Sequence, residues 1–305
     1  MQKTLKISVV GAGRVGSAIA FALSKRGYQI ISVVDKNVKA ASRLAEKVNC
    51  KKFSYNASDI NKDTELLFIT TPDDAIVKVV KEISSNKKLN FKKLIVAHTS
   101  GVHTSDSLKP LKSKGATTFS FHPVQSFPKN ISLNQLEKIL KDIYLGFEGE
   151  KNAFPIASRL AAELGGKIVS IDKKLKPLYH IACVFASNYI VTNLSIVSEI
   201  SSLLKFDKNW SNVFRPLTNS TIENALKLSP MEALTGPIER GDIDTVKMHV
   251  DVLQKFAAHL TPFYLILGVE TARLALIKGS LNSEQFDLLI KFARQTATKN
   301  KKEKK

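Results

Sequence analysis

The stretch Ile7-Ser8-Val9-Val10-Gly11-Ala12-Gly13-Arg14-Val15-Gly16 decides the fold of this 305-residue chain. Its first four residues form a largely apolar run, typical of a strand buried on both faces of a parallel sheet. The glycine pattern G-x-G-x-x-G follows, and a helical pattern over Ser17–Lys25 comes next. In such a turn, Gly11 permits the tight bend, Gly13 lets a ligand approach the backbone, and Gly16 lets helix and strand pack closely. The free N–H groups at the start of the helix favour a bound phosphate.

The rest of the first half alternates strands with helices. Further strands are predicted at Ile30–Val34, Leu66–Thr70, Leu94–Ala97, Thr117–Phe121, Tyr144–Glu148 and Ile168–Ile171. Helical segments such as Val38–Val48 and Pro155–Leu164 separate them. This alternation predicts an α/β fold, a doubly wound parallel sheet of the Rossmann type, over residues 1–172.

The strand signal disappears after Asp172. Helices with apolar residues at three and four spacing are predicted at Leu178–Ile200, Asn209–Leu228, Ile243–Leu260, Pro262–Lys278 and Asn282–Thr296. We therefore predict an all-helical domain over residues 173–298, entered through a linker at Lys173–Pro177. Residues 299–305 are predicted to form a solvated basic tail.

The net charge of +19 raises the question of a nucleic-acid partner. However, the lysines are scattered along helix faces and loops, and no nucleic-acid motif accompanies them, so such a partner is not expected. Cys50 and Cys183 fit no metal-ligand spacing and no disulfide framework. We predict no metal site and a reducing, cytoplasmic location.

A membrane span is not expected either. The longest uncharged stretch, Pro177–Ser198, approaches the length of a spanning helix but carries several polar side chains. No secretory signal is predicted, because glycines and Arg14 interrupt the first apolar run. The interpretation is a soluble protein.

Asp35 stands at the end of the second predicted strand, where a carboxylate can accept hydrogen bonds from an adenosine ribose and repel a 2′-phosphate. This favours NAD, whereas Arg14 or Lys36 could meet a phosphate, so NADP is possible. Thr71 is expected to cap the next helix, which Pro72 begins. This turn follows a strand end and is therefore expected to border the ligand crevice. The residues expected to contact the cofactor are Gly11, Ala12, Gly13, Arg14, Val15, Gly16, Asp35, Thr71, Pro72 and Ser100.

Two polar clusters at later strand ends are candidates for chemistry: His98–Gly101 and His122–Phe127. Hydride transfer at an alcohol, amine or imine carbon needs a group that moves the accompanying proton, and imidazole titrates in a suitable range. His122 is the better candidate, with Gln125 beside a substrate. A histidine that only shapes its loop is the alternative reading, and it is the favoured one for His98.

The helical half adds His180, Ser187 and Asn188, expected to form a polar stripe on one helix. A satisfied core histidine is the alternative for His180. Arg240 could hold an anionic substrate, while Asp242 could cap the following helix.

The motifs GAGRVG, TPDDAI, HTSG, HPVQSF, YHIACVFASNY and LTGPIERGDIDTVKMH occur here in this order. Together they resemble the Rossmann-like oxidoreductases whose C-terminal half is domain of unknown function 2520. That family is similar in build to pyrroline-5-carboxylate reductase, prephenate dehydrogenase and 6-phosphogluconate dehydrogenase. The resemblance implies a nicotinamide cofactor and a homodimer formed through a helical second domain of the 6-phosphogluconate dehydrogenase type.

The pair His122-Pro123 is similar to the His-Pro pair at the active site of prephenate dehydrogenases, which supports a catalytic His122. Val124–Phe127 lacks the glycine expected there, which argues against prephenate as the substrate. The lysine-to-asparagine helix pattern of β-hydroxyacid dehydrogenases is also absent. Many family members have serine and arginine at the end of the second strand, whereas this chain has Asp35 there, which again favours NAD.

These observations favour an NAD(P)-dependent oxidoreductase acting on a small, anionic metabolite. His122, His180 and Asn188 are the candidate catalytic residues, and Gln125, Ser187 and Arg240 the candidate substrate residues. The alternative is a dinucleotide-responsive binding or regulatory protein without turnover, because no single residue is diagnostic of hydride transfer.

Overall fold

The chain forms two compact units, Met1–Asn188 and Tyr189–Lys305, in a computed structural model that describes residues 5–206 and 209–302. The division falls later in the chain than the expected boundary at 172/173. It coincides with a break in the backbone at Ser187, whose φ of −132° and ψ of −70° are not helical. The first helix of the expected second domain therefore belongs to the first unit.

The first unit is built around one eight-stranded sheet. In chain order the strands are β1 (Lys6–Val10), β2 (Gln29–Val34), β3 (Phe53–Ser54), β4 (Leu66–Ile69), β5 (Ile95–His98), β6 (Thr117–Pro123), β7 (Tyr144–Gly149) and β8 (Lys167–Ser170). Their spatial order is β3-β2-β1-β4-β5-β6-β7-β8. All neighbouring pairs are parallel except β6 with β7. The predicted doubly wound parallel sheet is confirmed, except that β6 and β7 pair in the antiparallel direction.

Helices cover this sheet. They are α1 (Arg14–Lys25), α2 (Val38–Lys47), α3 (Asp73–Ser84), α4 (Lys109–Lys112), α5 (Leu133–Ile139), α6 (Phe154–Glu163) and α7 (Lys176–Ala186). Alternate strand residues enter two separate hydrophobic clusters, so that Phe68 lies in one and Leu67 in the other. Because side chains alternate across a strand, the two clusters occupy opposite faces of the sheet.

The second unit is helical over its described residues. Its helices are α8 (Asn188–Leu203), α9 (Trp210–Leu228), α10 (Pro230–Ala233), α11 (Ile243–Phe256), α12 (Thr261–Lys278) and α13 (Ser283–Lys302). Asp242 caps α11 by accepting from Thr245 N at 3.1 Å. Asn282 and Gln285 form a reciprocal cap at the start of α13.

Three expectations about helix extent need correction. The helix predicted over Leu178–Ile200 is two helices, interrupted at Ser187. The helix predicted over Ile243–Leu260 ends at Phe256, because Ala257 turns to φ −154° and ψ 53°. The predicted solvated tail at 299–305 continues α13 as far as Lys302, and its last three residues lie outside the described ranges.

Two segments, Lys173–Leu203 and Ala258–Lys278, are long and apolar enough to cross a membrane by length and composition alone. The first of them is interrupted at Ser187. Core helices of soluble proteins pass the same test, so the two segments are weak evidence for a membrane span.

Candidate functional site

The glycine turn after β1 has the geometry that its sequence predicts. Gly11 has φ +107°, and a Cβ there would lie 2.7 Å from the carbonyl carbon of Thr70. A Cβ on Gly16 would collide with the Gly11 carbonyl oxygen. Gly13, in contrast, faces open space, with no atom within 4 Å of a Cβ position. Two glycines thus serve packing, and the third leaves room for a ligand against the backbone.

Asp35 ties the end of β2 to this turn. Its carboxylate accepts from Ala12 N at 2.7 Å and from Asn37 N at 2.8 Å. Arg14 and Lys36 are exposed at the same edge of the sheet, and Val15 packs towards the core. Part of the hydrogen-bonding capacity of this carboxylate is therefore used within the chain, and its contact with a ribose stays a prediction.

Thr71 does not cap the helix after β4, which corrects the expectation from sequence. The helix begins at Asp73, Pro72 holds the capping position, and no side chain bonds to the helix end there. Thr71 Oγ1 is instead buried without a hydrogen-bond partner among the described residues. A buried hydroxyl without a partner is costly, so it is a candidate contact for a bound molecule.

A row of polar side chains crosses the middle of the sheet. His98 on β5 and Glu148 on β7 are both register partners of Ser120 on β6. Register partners share a face, so these three side chains lie side by side, and each is at most 3% exposed. His122 follows two residues after Ser120 on the same face, opposite Gly146.

His122 is held by Tyr179 of α7. Its Nδ1 lies 2.7 Å from the Tyr179 hydroxyl. The Tyr179 side chain also covers Gly146, because a Cβ on Gly146 would lie 2.7 Å from the same hydroxyl. The other ring nitrogen, Nε2, points towards Gly101, 3.0 Å from a Cβ position there. Nδ1 is therefore used for positioning, and Nε2 is the nitrogen available for chemistry.

The environment of His122 favours neutral imidazole. Burial, followed by the nearby charge of Lys176, lowers the pKa of His122 from 6.5 to about 4, while Asp73 acts in the opposite direction. Burial also raises the pKa of Tyr179, which therefore keeps its proton at neutral pH. A protonated hydroxyl beside a neutral imidazole can donate to Nδ1, which leaves the ring hydrogen on Nε2.

His180 approaches the same point from α7. Its Nδ1 is buried without a partner in the described part of the chain, and a Cβ on Gly101 would collide with it. The rings of His122 and His180 are 6.0 Å apart and nearly perpendicular. Two imidazoles therefore converge on Gly101, where only a glycine leaves room for them.

These residues open onto a cleft of about 440 Å³ within the first unit. It is lined by His122, Val124, Gln125, Ser126, His180, Cys183, Val184, Ala186, Ser187 and Asn188. Five candidates from the sequence, namely His122, His180, Asn188, Gln125 and Ser187, thus line one cleft. Arg240 lies exposed in the second unit, in the turn before α11, and its role towards a substrate stays a prediction.

His98 and Ser100 shape the loop after β5. His98 Nε2 lies 3.1 Å from Thr104 O, and its Nδ1 accepts from Ser100 N at 3.2 Å. The Ser100 hydroxyl accepts from Val102 N and His103 N, so it stabilises the turn. His98 therefore has the structural role favoured for it, and a cofactor contact by Ser100 stays a prediction.

Sequence reasoning missed Lys176, Ser120 and Glu148, and it gave Tyr179 no role. The signal for Ser120 was present, since it alternates with Phe119 and Phe121 as a polar face would. The signal for α7 was the spacing of Lys176, Tyr179, His180 and Cys183, which places them on one face of a helix. No group of three or more potential metal ligands occurs within residues 5–206 and 209–302.

Two domain families match the chain. Residues 1–123 match a Rossmann-like domain, and residues 143–271 match the domain of unknown function DUF2520.

Curated relatives match the chain only in part. A glutamyl-tRNA reductase from Sulfolobus acidocaldarius is 27% identical over 139 residues, which is 45% of this chain and 29% of that protein. A shikimate dehydrogenase (NADP⁺) from Methanobrevibacter smithii is 28% identical over 164 residues, which is 45% of this chain and 57% of that protein. The chain thus spans less than two thirds of the length of either relative.

Solved structures match over most of the chain. A protein from Thermotoga maritima is 26% identical with a TM-score of 0.67, covering 89% of this chain and 99% of its own. A candidate NADP oxidoreductase from Bacteroides fragilis has a TM-score of 0.72 at 22% identity, covering 88% and 98%. An imine reductase variant from Myxococcus stipitatus, in complex with NAD⁺, has a TM-score of 0.61 at 14% identity, covering 94% and 100%.

These likenesses agree with the geometry of the glycine turn and with the helical second unit. The chain thus combines a segment that matches a Rossmann-like domain with a later segment that matches DUF2520, and its fold is similar to that of the solved oxidoreductase structures.

Proposed function

We propose that this protein is an NAD(P)-dependent oxidoreductase that acts on a carbonyl, imine or alcohol carbon of a small metabolite. The observation that carries the proposal is the placement of His122. Its Nδ1 is fixed by Tyr179, and the residue lines a cleft beside the carboxyl edge of a sheet that also carries the glycine turn. Ligands of such sheets bind along this edge.

The first unit fits a dinucleotide. The backbone at Gly13 is open, the start of α1 has no side-chain cap, and Thr71 Oγ1 lacks a partner among the described residues. We propose that the helix start and Gly13 bind the pyrophosphate and that Asp35 receives the ribose, which favours NAD. NADP is the alternative, in which Arg14 and Lys36 would meet a 2′-phosphate.

His122 is proposed to stabilise the negative charge that develops on the substrate during reduction. A bound nicotinamide would supply the hydride, and water would supply the accompanying proton. In the direction of reduction, Nε2–H of neutral His122 donates a hydrogen bond to the substrate heteroatom, while Tyr179 holds Nδ1. His180 and Asn188 are proposed to orient the substrate, with Gln125 and Ser187 beside it.

The proposal extends to assembly, location and one residue of the second unit. Apolar side chains are exposed along the second unit, for example Val191 on α8 and Ile266 on α12, at 66% and 65% exposure. Exposed apolar side chains favour an interaction site, so we propose a homodimer formed through this unit. The proposed location is the cytoplasm. Arg240 is proposed to bind an acidic group of the substrate.

The test in the direction of reduction is oxidation of NADH and NADPH by a panel of keto acids and imines. In the reverse direction, the test is reduction of NAD⁺ and NADP⁺ by the corresponding hydroxy acids and amines. Turnover is expected from the unmodified chain and a loss of roughly 100-fold or more in kcat/KM from His122→Asn, with cofactor affinity retained. No turnover with any partner, or an unchanged rate in the variant, would contradict the assignment. Tight dinucleotide binding without turnover would favour the regulatory alternative.

A further inference from the structure

Lys176 is a charged side chain that is completely buried, with 0% exposure. Its position in the sequence suggests a linker, yet it is the first residue of α7, and its Nζ donates to Ser120 Oγ. Lysine is almost never fully buried without a partner, because removing an ammonium group from water is costly. The cost indicates that the charge at this position has a purpose.

The polar row of the sheet holds this ammonium group. Ser120 Oγ, which accepts from Lys176, lies 3.3 Å from the carbonyl oxygen of Ser100. Glu148, 3% exposed and opposite Ser120 in the sheet, attracts the charge. The Glu148 carboxylate is itself anchored, because it accepts from the backbone and hydroxyl of Ser105 at 2.6 and 2.9 Å. The row thus fixes the ammonium group in place.

The ammonium group remains mostly charged at neutral pH. Burial lowers the pKa of Lys176 to about 8, and the carboxylates of Glu148 and Asp73 oppose that change. Ser120, which accepts the hydrogen bond from the Lys176 ammonium group, is two residues from His122 on the same face of β6, a separation of roughly 7 Å along a strand. A fixed positive charge at this range makes a second positive charge on His122 costly.

The other groups around His122 are few. On α7 they are His180 and Tyr179, on α3 the carboxylate of Asp73, and on β5 the buried His98. Asp73 alone among them favours imidazolium, and its effect is the smallest of those that act on His122.

We propose that Lys176 is a positioning residue for the proposed reaction: its buried ammonium group, held at Ser120 on the face that carries His122, adds to burial in opposing a positive charge on the His122 imidazole. His122 then donates a hydrogen bond from Nε2 as a neutral ring and does not act as imidazolium. The inference rests on the proposed function for its catalytic meaning, although the electrostatic coupling is a property of the chain without substrate.

The test is a pH titration of the full chain labelled with ¹⁵N-histidine, followed by NMR. Lys176→Met should raise the pKa of His122 by about one unit, because the like charge is removed. Lys176→Arg keeps the charge and should leave the pKa of His122 low. Lys173→Met is the matched control: it removes an exposed lysine, paired with Asp106, three residues earlier, and should change nothing.

Ser120→Ala separates charge from hydrogen bonding, because it removes the acceptor and leaves the ammonium group. The proposal expects His122 in this variant to titrate close to its position in the unmodified chain. An equal upward shift in Ser120→Ala and Lys176→Met, or no shift in Lys176→Met, would overturn the proposal. If Lys176→Met does not fold, the titration of the unmodified chain tests the proposal. Loss of the Lys176 charge near pH 8 should produce a second inflection in the His122 resonances, and a flat response there would overturn the proposal.

The outcome is independent of turnover. A shifted His122 in a protein that shows no hydride transfer refutes the proposed function and leaves the coupling intact. An unshifted His122 in an active enzyme does the reverse. Once a substrate is known, the limb of the pH profile of kcat/KM that reports His122 should move with the NMR titration, which a merely structural role of Lys176 would not cause.

Discussion

The contact between Tyr179 and His122 occupies one imidazole nitrogen and leaves the other for a ligand. Burial keeps the Tyr179 hydroxyl protonated, so the hydroxyl can donate to Nδ1 across 2.7 Å. With Tyr179 as the donor, the neutral His122 ring carries its hydrogen on Nε2. The arrangement resembles other sites in which the partner of one ring nitrogen fixes the state of the other.

Replacing Tyr179 by Phe should therefore change the tautomer of His122. Long-range ¹H–¹⁵N spectra at pH 7 should show mainly the Nε2–H form in the unmodified chain and a mixture in Tyr179→Phe, because Nδ1 loses its donor. The matched control is Tyr144→Phe, at an exposed tyrosine of β7, which should leave the spectrum unchanged. An Nδ1–H tautomer in the unmodified chain would refute this account of the contact.

Gly101 explains why the two histidines meet. A side chain at this position would collide with His180 Nδ1 and lie 3.0 Å from His122 Nε2. The sequence HTSG indicated a loop at the rim of the sheet, but one sequence does not tell whether its glycine serves a turn or a close approach. That distinction depends on α7, which contributes His180 from far along the chain.

At the scale of elements, β5 and β6 make the first unit sensitive to acid. Burial, followed by the charge of Lys176, lowers the pKa of His98 to about 3 and of His122 to about 4, both from 6.5. The unfolded chain therefore binds more protons than the folded chain between about pH 6.5 and pH 4, so the free energy of unfolding falls as the pH falls through this window. Above pH 6.5 both histidines are neutral in both states, and this effect is absent.

Denaturant titrations at pH 7, 6 and 5 should measure this loss. Each histidine contributes a slope of up to about 1.4 kcal/mol per pH unit. His122→Asn removes one of the two and should reduce the slope between pH 6 and pH 5 by about that amount. Equal slopes in the variant and the unmodified chain would show that His122 is protonated as easily in the folded state as in the unfolded state.

The elements that carry continuous apolar runs were predictable from sequence. The runs at β1, β2 and β4 are buried on both faces, as in any parallel sheet, and their boundaries differ little from the expected ones. The antiparallel direction of β7 was not predictable, because an apolar run reads the same whichever way the strand points. The break at Ser187 was missed because neither glycine nor proline marks it.

At the scale of the molecule, the site could be predicted only as far as the sheet organises it. The rule that ligands bind at the carboxyl ends of parallel strands placed His122 and the glycine turn at one edge. Glu148 and Lys176 lie outside this rule, since Glu148 comes from the antiparallel strand and Lys176 from the start of a helix that reads as a linker. Their contribution follows from register and burial, which a single sequence does not contain.

The central claim is that the first unit binds a nicotinamide dinucleotide at its glycine turn. Calorimetric titration of NADH and NADPH into the full chain, compared with Gly13→Ala, tests it most directly. A Cβ at residue 13 meets nothing within 4 Å, so the variant should fold with unchanged stability. The same Cβ would occupy the space where the pyrophosphate approaches the backbone, so affinity should fall roughly 10-fold or more. Gly268→Ala, inside α12 of the second unit, is the matched control and should bind like the unmodified chain. Saturable binding that Gly13→Ala weakens and Gly268→Ala preserves is the predicted result; no binding of either nucleotide, or equal affinity in all three proteins, would contradict the account.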